Sequence, residues 1–163
     1  MTDAEPPSSG QTYEDATLFV PLLAPGSRLL GLDLGTKTIG LALSDVNRTV
    51  ASSMETIRRK KFSIDVLRLL AIADEHRISG FVLGLPVNMD ASEGPRAQAT
   101  RSFARNLNQR SDLPILLWDE RMTTQAATRL LIEADSSRKR RAQVVDKMAA
   151  TLILQGALDR MRH

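Results

Sequence analysis

From residue 29 onward the apolar positions of the chain change period in a definite order. Leu29-Leu-Gly-Leu-Asp-Leu34 is a short apolar run broken by one acid and closed by Gly35-Thr36-Lys37, which reads as a buried strand and a turn. Thr38–Ser44 follows at once, so the two segments are expected to form a hairpin. After the turn signal Asp45-Val-Asn47-Arg48, polar and apolar positions alternate over Thr49–Arg58 and predict a third antiparallel strand. The period then becomes helical. Ile64, Leu67, Leu70 or Ala71, and Ala73 or Asp74 recur at helix spacing, predicting an amphipathic helix over Phe62–His76 with Ser63 as its cap. Gly80–Pro86 is a continuous apolar run ended by proline, the pattern of a buried parallel strand, and residues 87–94 form the loop after it. A helix over Pro95–Asn108, a buried strand over Leu113–Trp118, and helices over Thr124–Ala134 and Ala142–Met161, separated by a basic run at 138–141, complete the pattern.

The order is therefore βββαβαβαα. Right-handed crossovers place the first strand centrally, antiparallel to the second on one side and parallel to the fourth on the other. The expected architecture is α/β, a mixed five-stranded sheet in the order 3-2-1-4-5 flanked by helices. Residues 1–27 contain Pro6, Pro7, Pro21, Pro25 and Ser8-Ser9-Gly10 without sustained periodicity. They read as a flexible N-terminal extension, dispensable for folding, with Leu18–Val20 and Leu22-Leu23 at most docking on the surface of a single domain over residues 28–163.

Composition narrows the chemistry. With 163 residues, 42% apolar and 25% charged, the chain is an ordinary globular one and long enough to build a core without staples. Cysteine is absent, which removes zinc fingers, redox pairs and thiol nucleophiles, and with only His76 and His163 a bound metal must be held by carboxylates. The acidic start and the lack of an apolar run of about 18 residues argue against a secretory signal or a membrane span, so a cytoplasmic location is expected. The first 27 residues hold Asp3, Glu5, Glu14 and Asp15 and no Lys or Arg, so the rest of the chain is more basic than the net +3 suggests. Clusters at Arg58-Arg59-Lys60-Lys61 and Arg138-Lys139-Arg140-Arg141, with Arg96, Arg101, Arg105 and Arg110 between them, point to a phosphate-rich partner, a nucleic acid, over the simpler reading of solvated faces.

Three acids stand out against this background. Asp33 interrupts an aliphatic strand expected to be buried on both faces, where an unpaired carboxylate is costly; its local alternative is a turn aspartate bonding the backbone at Thr36 and Thr38. Glu120 follows the carboxyl end of the last strand, where ligand crevices form in open α/β sheets. In an extended chain Asp119 and Glu120 face opposite sides, so only one of them faces such a crevice. Asp146 stands near the start of the last helix and heads the stripe Ala149, Ala150, Ile153 and Ala157, whose small residues allow close packing on a sheet. A helix cap, a surface ion pair of Glu120 with Arg121, or a helix-dipole acid explains each one singly. Together they make a hard-oxygen site suited to Mg²⁺ or Mn²⁺ and to phosphodiester hydrolysis by water.

A set of co-linear motifs carries a family resemblance. Gly31-Leu-Asp33-Leu-Gly35 with Ile39-Gly40 and Ser44-Asp45, Gly84-Leu-Pro86 leading to Glu93-Gly94-Pro95, Asp119-Glu120-Arg121 with Thr123-Thr124, and Asp146-Lys-Met-Ala-Ala150 running to Ile153-Leu-Gln155 resemble the YqgF family over about residues 28–161. These are ribonuclease H-like proteins regarded as Holliday-junction resolvases and pre-16S rRNA nucleases. The resemblance implies the ribonuclease H fold, with Asp33, Glu120 and Asp146 as catalytic, metal-binding acids. Asp119, Asp45 and Asp90 are candidates for a fourth. Lys37 occupies the turn where many members have Arg, and with Arg96 and Arg121 it is a candidate phosphate contact. Asp33-Leu-Gly-Thr-Lys-Thr also resembles the phosphate loop of actin-like and sugar-kinase ATPases, but no second glycine-rich phosphate loop accompanies it. A catalytically silent RNA-binding factor is a further alternative. Cleavage of precursor rRNA is preferred over junction resolution, which needs a dimer holding two sites over four-way DNA, and no dimer interface is legible.

Overall fold

The structure is a computed structural model that describes residues 11–122 and 138–162, and of residues 138–147 the backbone alone. The segment before residue 28 corrects the first expectation. Residues 11–27 are not a loose extension: Thr12–Tyr13 forms a short strand (β1), and Ala16–Phe19 a turn of helix (α1) continued by a 3₁₀ turn over Val20–Leu22. Asp15 caps α1, its carboxylate accepting from the Thr17 amide at 2.9 Å. Residues 1–10 lie outside the described residues.

The hairpin meander is β2 (Arg28–Leu34), β3 (Thr38–Ser44) and β4 (Ala51–Arg58), antiparallel throughout, with Asp33 opposite Gly40 and Ile39 opposite Ile57. Strand β4 starts at residue 51 and not at Thr49, because the Asp45 carboxylate accepts from the amides of Thr49 (2.7 Å) and Val50 (3.0 Å) and ties both into the turn. Helix α2 (Phe62–Glu75) is capped differently from expectation. Ser63 lies inside the helix and Lys61 is its N-cap, while the buried Asp65 carboxylate accepts from the Lys60 amide at 3.1 and 3.3 Å. Then come β5 (Ile78–Leu85), buried at every position, α3 (Pro95–Asn108) with proline at its first turn, and β6 (Ile115–Asp119). The chain ends with α4 (Arg138–Met161). The basic run 138–141 is helical, so this helix includes four residues more than the expected start at Ala142. The helix expected over Thr124–Ala134 lies outside the described residues.

The sheet has six strands in the order β1-β6-β5-β2-β3-β4. Its five longer strands stand in the expected order, and β1 is an added edge strand parallel to β6. Alternation along the strands divides the core in two. Leu30, Leu32, Ile39, Phe81, Leu83, Ile115 and Leu117 face α2 and α3, whereas Leu29, Ala42, Val82 and Leu116 face α4 and α1. No helix among the described residues is long and apolar enough to cross a membrane.

Phe19 is the anchor of the N-terminal segment. It is 0% exposed and fills space that Gly80 leaves: a Cβ on Gly80 would stand 2.7 Å from Phe19 Cζ and 3.0 Å from Leu23 Cδ2. Polar ties add to it. Arg101 reaches both Glu14 (3.3 Å) and Glu93 (2.6 Å), and the Ile115 amide donates to Gln11 O at 2.8 Å. Phe19→Ala is expected to cost about 3–5 kcal/mol. Deleting residues 1–27 should lower Tm by about 10 °C or more in a thermal melt; an unchanged Tm would show that the segment merely rests on the surface.

Candidate active site

Helix α4 crosses the sheet at backbone level. A Cβ on Gly31 in β2 would meet Leu154 Cβ at 2.8 Å and Ala150 O at 3.2 Å; one on Gly84 in β5 would meet Ile153 Cδ1 at 2.5 Å and Glu120 Oε2 at 2.9 Å. Only glycine fits at either place without displacing the helix or the acid. Asp33 belongs to the same face, since an added Cβ on Gly40, its partner across β2 and β3, would lie 3.8 Å from both Asp33 Cβ and Ala150 Cβ. Asp33, Glu120 and the Ala150 turn of α4 thus meet at the carboxyl ends of β2, β5 and β6, with β5 between the strands bearing the two acids. Asp146 precedes Ala150 by one helical turn in α4. Its side chain lies outside the described residues.

The environment sets the charge of the pair. Glu120 is pushed up to about 7, first by burial, next by the Asp33 carboxylate, with Asp119 adding a little and Arg96 pulling the other way. A carboxyl group near 7 holds its proton part of the time at neutral pH. Asp119 is turned to the opposite face, as alternation requires, and binds Arg121 through Nε at 3.0 Å and Nη2 at 2.6 Å. This fork holds Asp119 below the usual carboxylate range, with Arg121 as the largest cause.

The candidate phosphate contacts separate. Arg96 donates to Leu34 O at 3.3 Å, at the end of the Asp33 strand, and feels Glu120 electrostatically. Lys37 is exposed in the β2–β3 turn. Arg121 is occupied by Asp119 and also reaches Asn88 O at 3.5 Å, so it fastens loop 86–94 to the end of β6. Of the candidate fourth acids, Asp45 sits at the other end of the sheet because β3 runs antiparallel to β2, and its carboxylate is consumed by the turn. Asp90 accepts from the Ser92 amide at 2.9 Å within its own loop. Among the described residues no group of three or more acids and histidines stands close enough to hold a metal. A larger cleft of about 540 Å³ opens beside the site between loop 86–94 and the end of β6, lined by Glu14, Glu93, Trp118, Asp119, Arg121 and Arg160.

Comparison with known proteins decides the family. The model of the RuvX family, described as a Holliday junction resolvase, matches residues 27–160. The chain belongs to this family. A relative from Paramagnetospirillum magneticum, named "Putative pre-16S rRNA nuclease", is 61% identical, the match covering 86% of this chain and 96% of the relative. One of the same name from Rhodospirillum rubrum is 59% identical, covering 94% and 92%. Among solved structures, Thermus thermophilus RuvC is similar at 13% identity and a TM-score of 0.51, covering 83% of this chain and 97% of that one. A second structure, T. thermophilus RuvC in complex with a Holliday junction substrate, gives 14% and 0.50, covering 83% and 96%. The RuvX chain therefore has the ribonuclease H-like α/β fold that its motifs implied, with one strand more than expected.

The Glu120 environment has a consequence for stability. Its folded value, about 7, lies above the ordinary 4.5, so the folded state holds more protons than the unfolded one between these values and metal-free stability falls as pH rises through that window. In EDTA at pH 8, Glu120→Gln is expected to raise Tm by about 5 °C, corresponding to about 2 kcal/mol, and at pH 4 to change it little. Equal effects at both pH values would refute the electrostatic account.

Proposed function

We propose that this RuvX protein is a divalent-metal-dependent nuclease in which Asp33, Glu120 and Asp146 hold Mg²⁺ or Mn²⁺. The observation that carries the reading is the pair Asp33–Glu120, two carboxylates placed together on the α4 face with Glu120 raised to about 7. Two like charges in a partly buried corner are costly unless a cation joins them, and an all-oxygen donor set suits a hard ion. Asp146, one turn before Ala150, completes the set in this reading. When bound, the metal supplies an activated water and neutralises charge on the phosphate. The chain supplies the rest. Asp33 on its central strand would give the metal a rigid anchor, Glu120 would be a second oxygen donor once deprotonated, and Arg96 brings positive charge beside Glu120.

Precursor rRNA is the preferred substrate, and the site would then work in the cytoplasm. Two things support it: the relatives' name, and a basic chain in which one site beside positive charge is sufficient for RNA. The family description favours a second reading, resolution of four-way DNA, which demands a dimer with two sites facing the junction. Purified protein with Mn²⁺ should be offered a precursor 16S rRNA fragment, single-stranded RNA and a four-way junction at matched salt. Cleavage of the precursor is expected, abolished in Asp33→Asn and Glu120→Gln while binding persists, because phosphate affinity comes from Lys and Arg. Paired symmetric nicks in the junction with the RNAs intact would establish the second reading, and metal-independent cleavage would overturn the mechanism.

A further inference from the structure

The run Arg58-Arg59-Lys60-Lys61 does not form one exposed patch. Ile57 is buried toward α2 and α3, so the chain's alternation sends Arg58 outward and turns Arg59 back over the α3 side. Arg59 is half-buried, with its guanidinium carbon 5.9 Å from the centre of the Phe103 ring, which is itself braced edge-on by Phe62 at 5.3 Å. Its amide donates to Lys37 O at 2.8 Å and its Nη1 to Gly35 O at 2.6 Å. Arg96 approaches from α3 and donates to the neighbouring carbonyl, Leu34 O, at 3.3 Å. Two guanidinium groups are thus fixed by consecutive carbonyls at the end of the Asp33 strand. Between them lies a small cavity of about 90 Å³ lined by Gly35, Thr36, Arg59, Arg96, Thr100 and Phe103. Among the described residues no carboxylate lines it.

We propose that Arg59 and Arg96 form a clamp for one backbone phosphate of the nucleic acid, next to the phosphate that is cut. The inference rests on the nuclease reading for the position of the cut and deepens it. The chemistry is specific. Among the described residues each guanidinium makes one hydrogen bond to a carbonyl, which leaves it further N–H donors for a tetrahedral oxyanion in the space between them. The position is also meaningful. Gly35 is two residues beyond Asp33, about 7 Å at strand rise, which is the scale of the step between successive phosphates on one strand. The acids face α4 and the arginines face α3, so a strand crossing the end of β2 meets the clamp with one phosphate and the carboxylates with the next. Because both guanidiniums are held in place before binding, little ordering is left to do when the phosphate arrives.

The test uses the full chain in EDTA, so that binding is read without cleavage, with a labelled single-stranded RNA as probe. Arg59→Gln and Arg96→Gln should each weaken binding about tenfold and lower the slope of log Kd against log salt by about 0.7, the amount for one phosphate on a single strand. The double variant should lose no further slope, since both groups share that phosphate. Arg59→Lys should restore the slope while regaining only part of the affinity, because the fork is missing. Sulfate at constant ionic strength should inhibit the wild-type protein more than chloride does, and this excess should vanish in both Gln variants. Arg58→Gln should keep it. Melting curves separate a folding defect in Arg59→Gln from a lost contact, and Arg59→Lys with intact Tm remains decisive if the Gln variant unfolds. Independent slope losses that add in the double variant, or an unchanged sulfate effect, would overturn the clamp while leaving the nuclease reading intact. A clamp signature in a protein that cuts nothing with Mn²⁺ would overturn the nuclease reading alone, and a wild-type protein that binds no nucleic acid would overturn both.

Discussion

The contact on which the site depends is that of α4 with bare backbone. At Gly31 and Gly84 the sheet presents no side chain to the helix, and Ala150, Ile153 and Leu154 lie directly on it. A helix packed through ordinary side chains stands off by the depth of both layers; one packed on glycine comes closer and excludes water from the strand ends it covers. That exclusion raises Glu120 toward neutrality more than any single neighbouring charge does, burial being the largest cause. The same approach carries the Ala150 turn, and Asp146 one turn before it, to the edge at which Asp33 stands.

The end of β2 divides two chemistries. On the α4 side are carboxylates, and on the α3 side Arg59 and Arg96 are fastened to the last carbonyls of the strand. Arg96 is close enough to Glu120 to oppose the rise of its pKa while its hydrogen bond goes to the strand. The remaining ion pairs serve the frame. Arg121 holds Asp119 away from the acids, and Arg101 links Glu93 in the site loop to Glu14 in the N-terminal segment.

The N-terminal segment is therefore part of the scaffold beside the site and has a structural reason for being there. Strand β1 covers only two positions of β6, and α1 is a single turn, so neither is stable by itself. Phe19 makes them persist by filling the hole over Gly80, a core contact between parts of the chain about sixty residues apart.

The order of the five main strands followed from periodicity and the hand of the crossovers, and alternation showed that Asp119 and Glu120 point to opposite sides, because a period of two or of 3.6 is written over many residues and survives into the fold. The motifs gave the family by the same token. What periodicity could not reveal was short or made by distant partners. Two residues of β1 and four of α1 are too few to show a period, and the value of Phe19 exists only opposite Gly80. Asp45 and Asp119 are acids of the same chemistry as Asp33 and Glu120, yet a turn consumes one and an arginine fork the other. Likewise, nothing in Arg58-Arg59-Lys60-Lys61 tells which cation turns inward. Sequence by itself determined the longer elements and that Asp119 and Glu120 point apart, since these depend on local geometry; tertiary structure alone decided which charges are buried, paired or left facing a cavity, since desolvation and Coulomb energy depend on what the rest of the chain brings alongside.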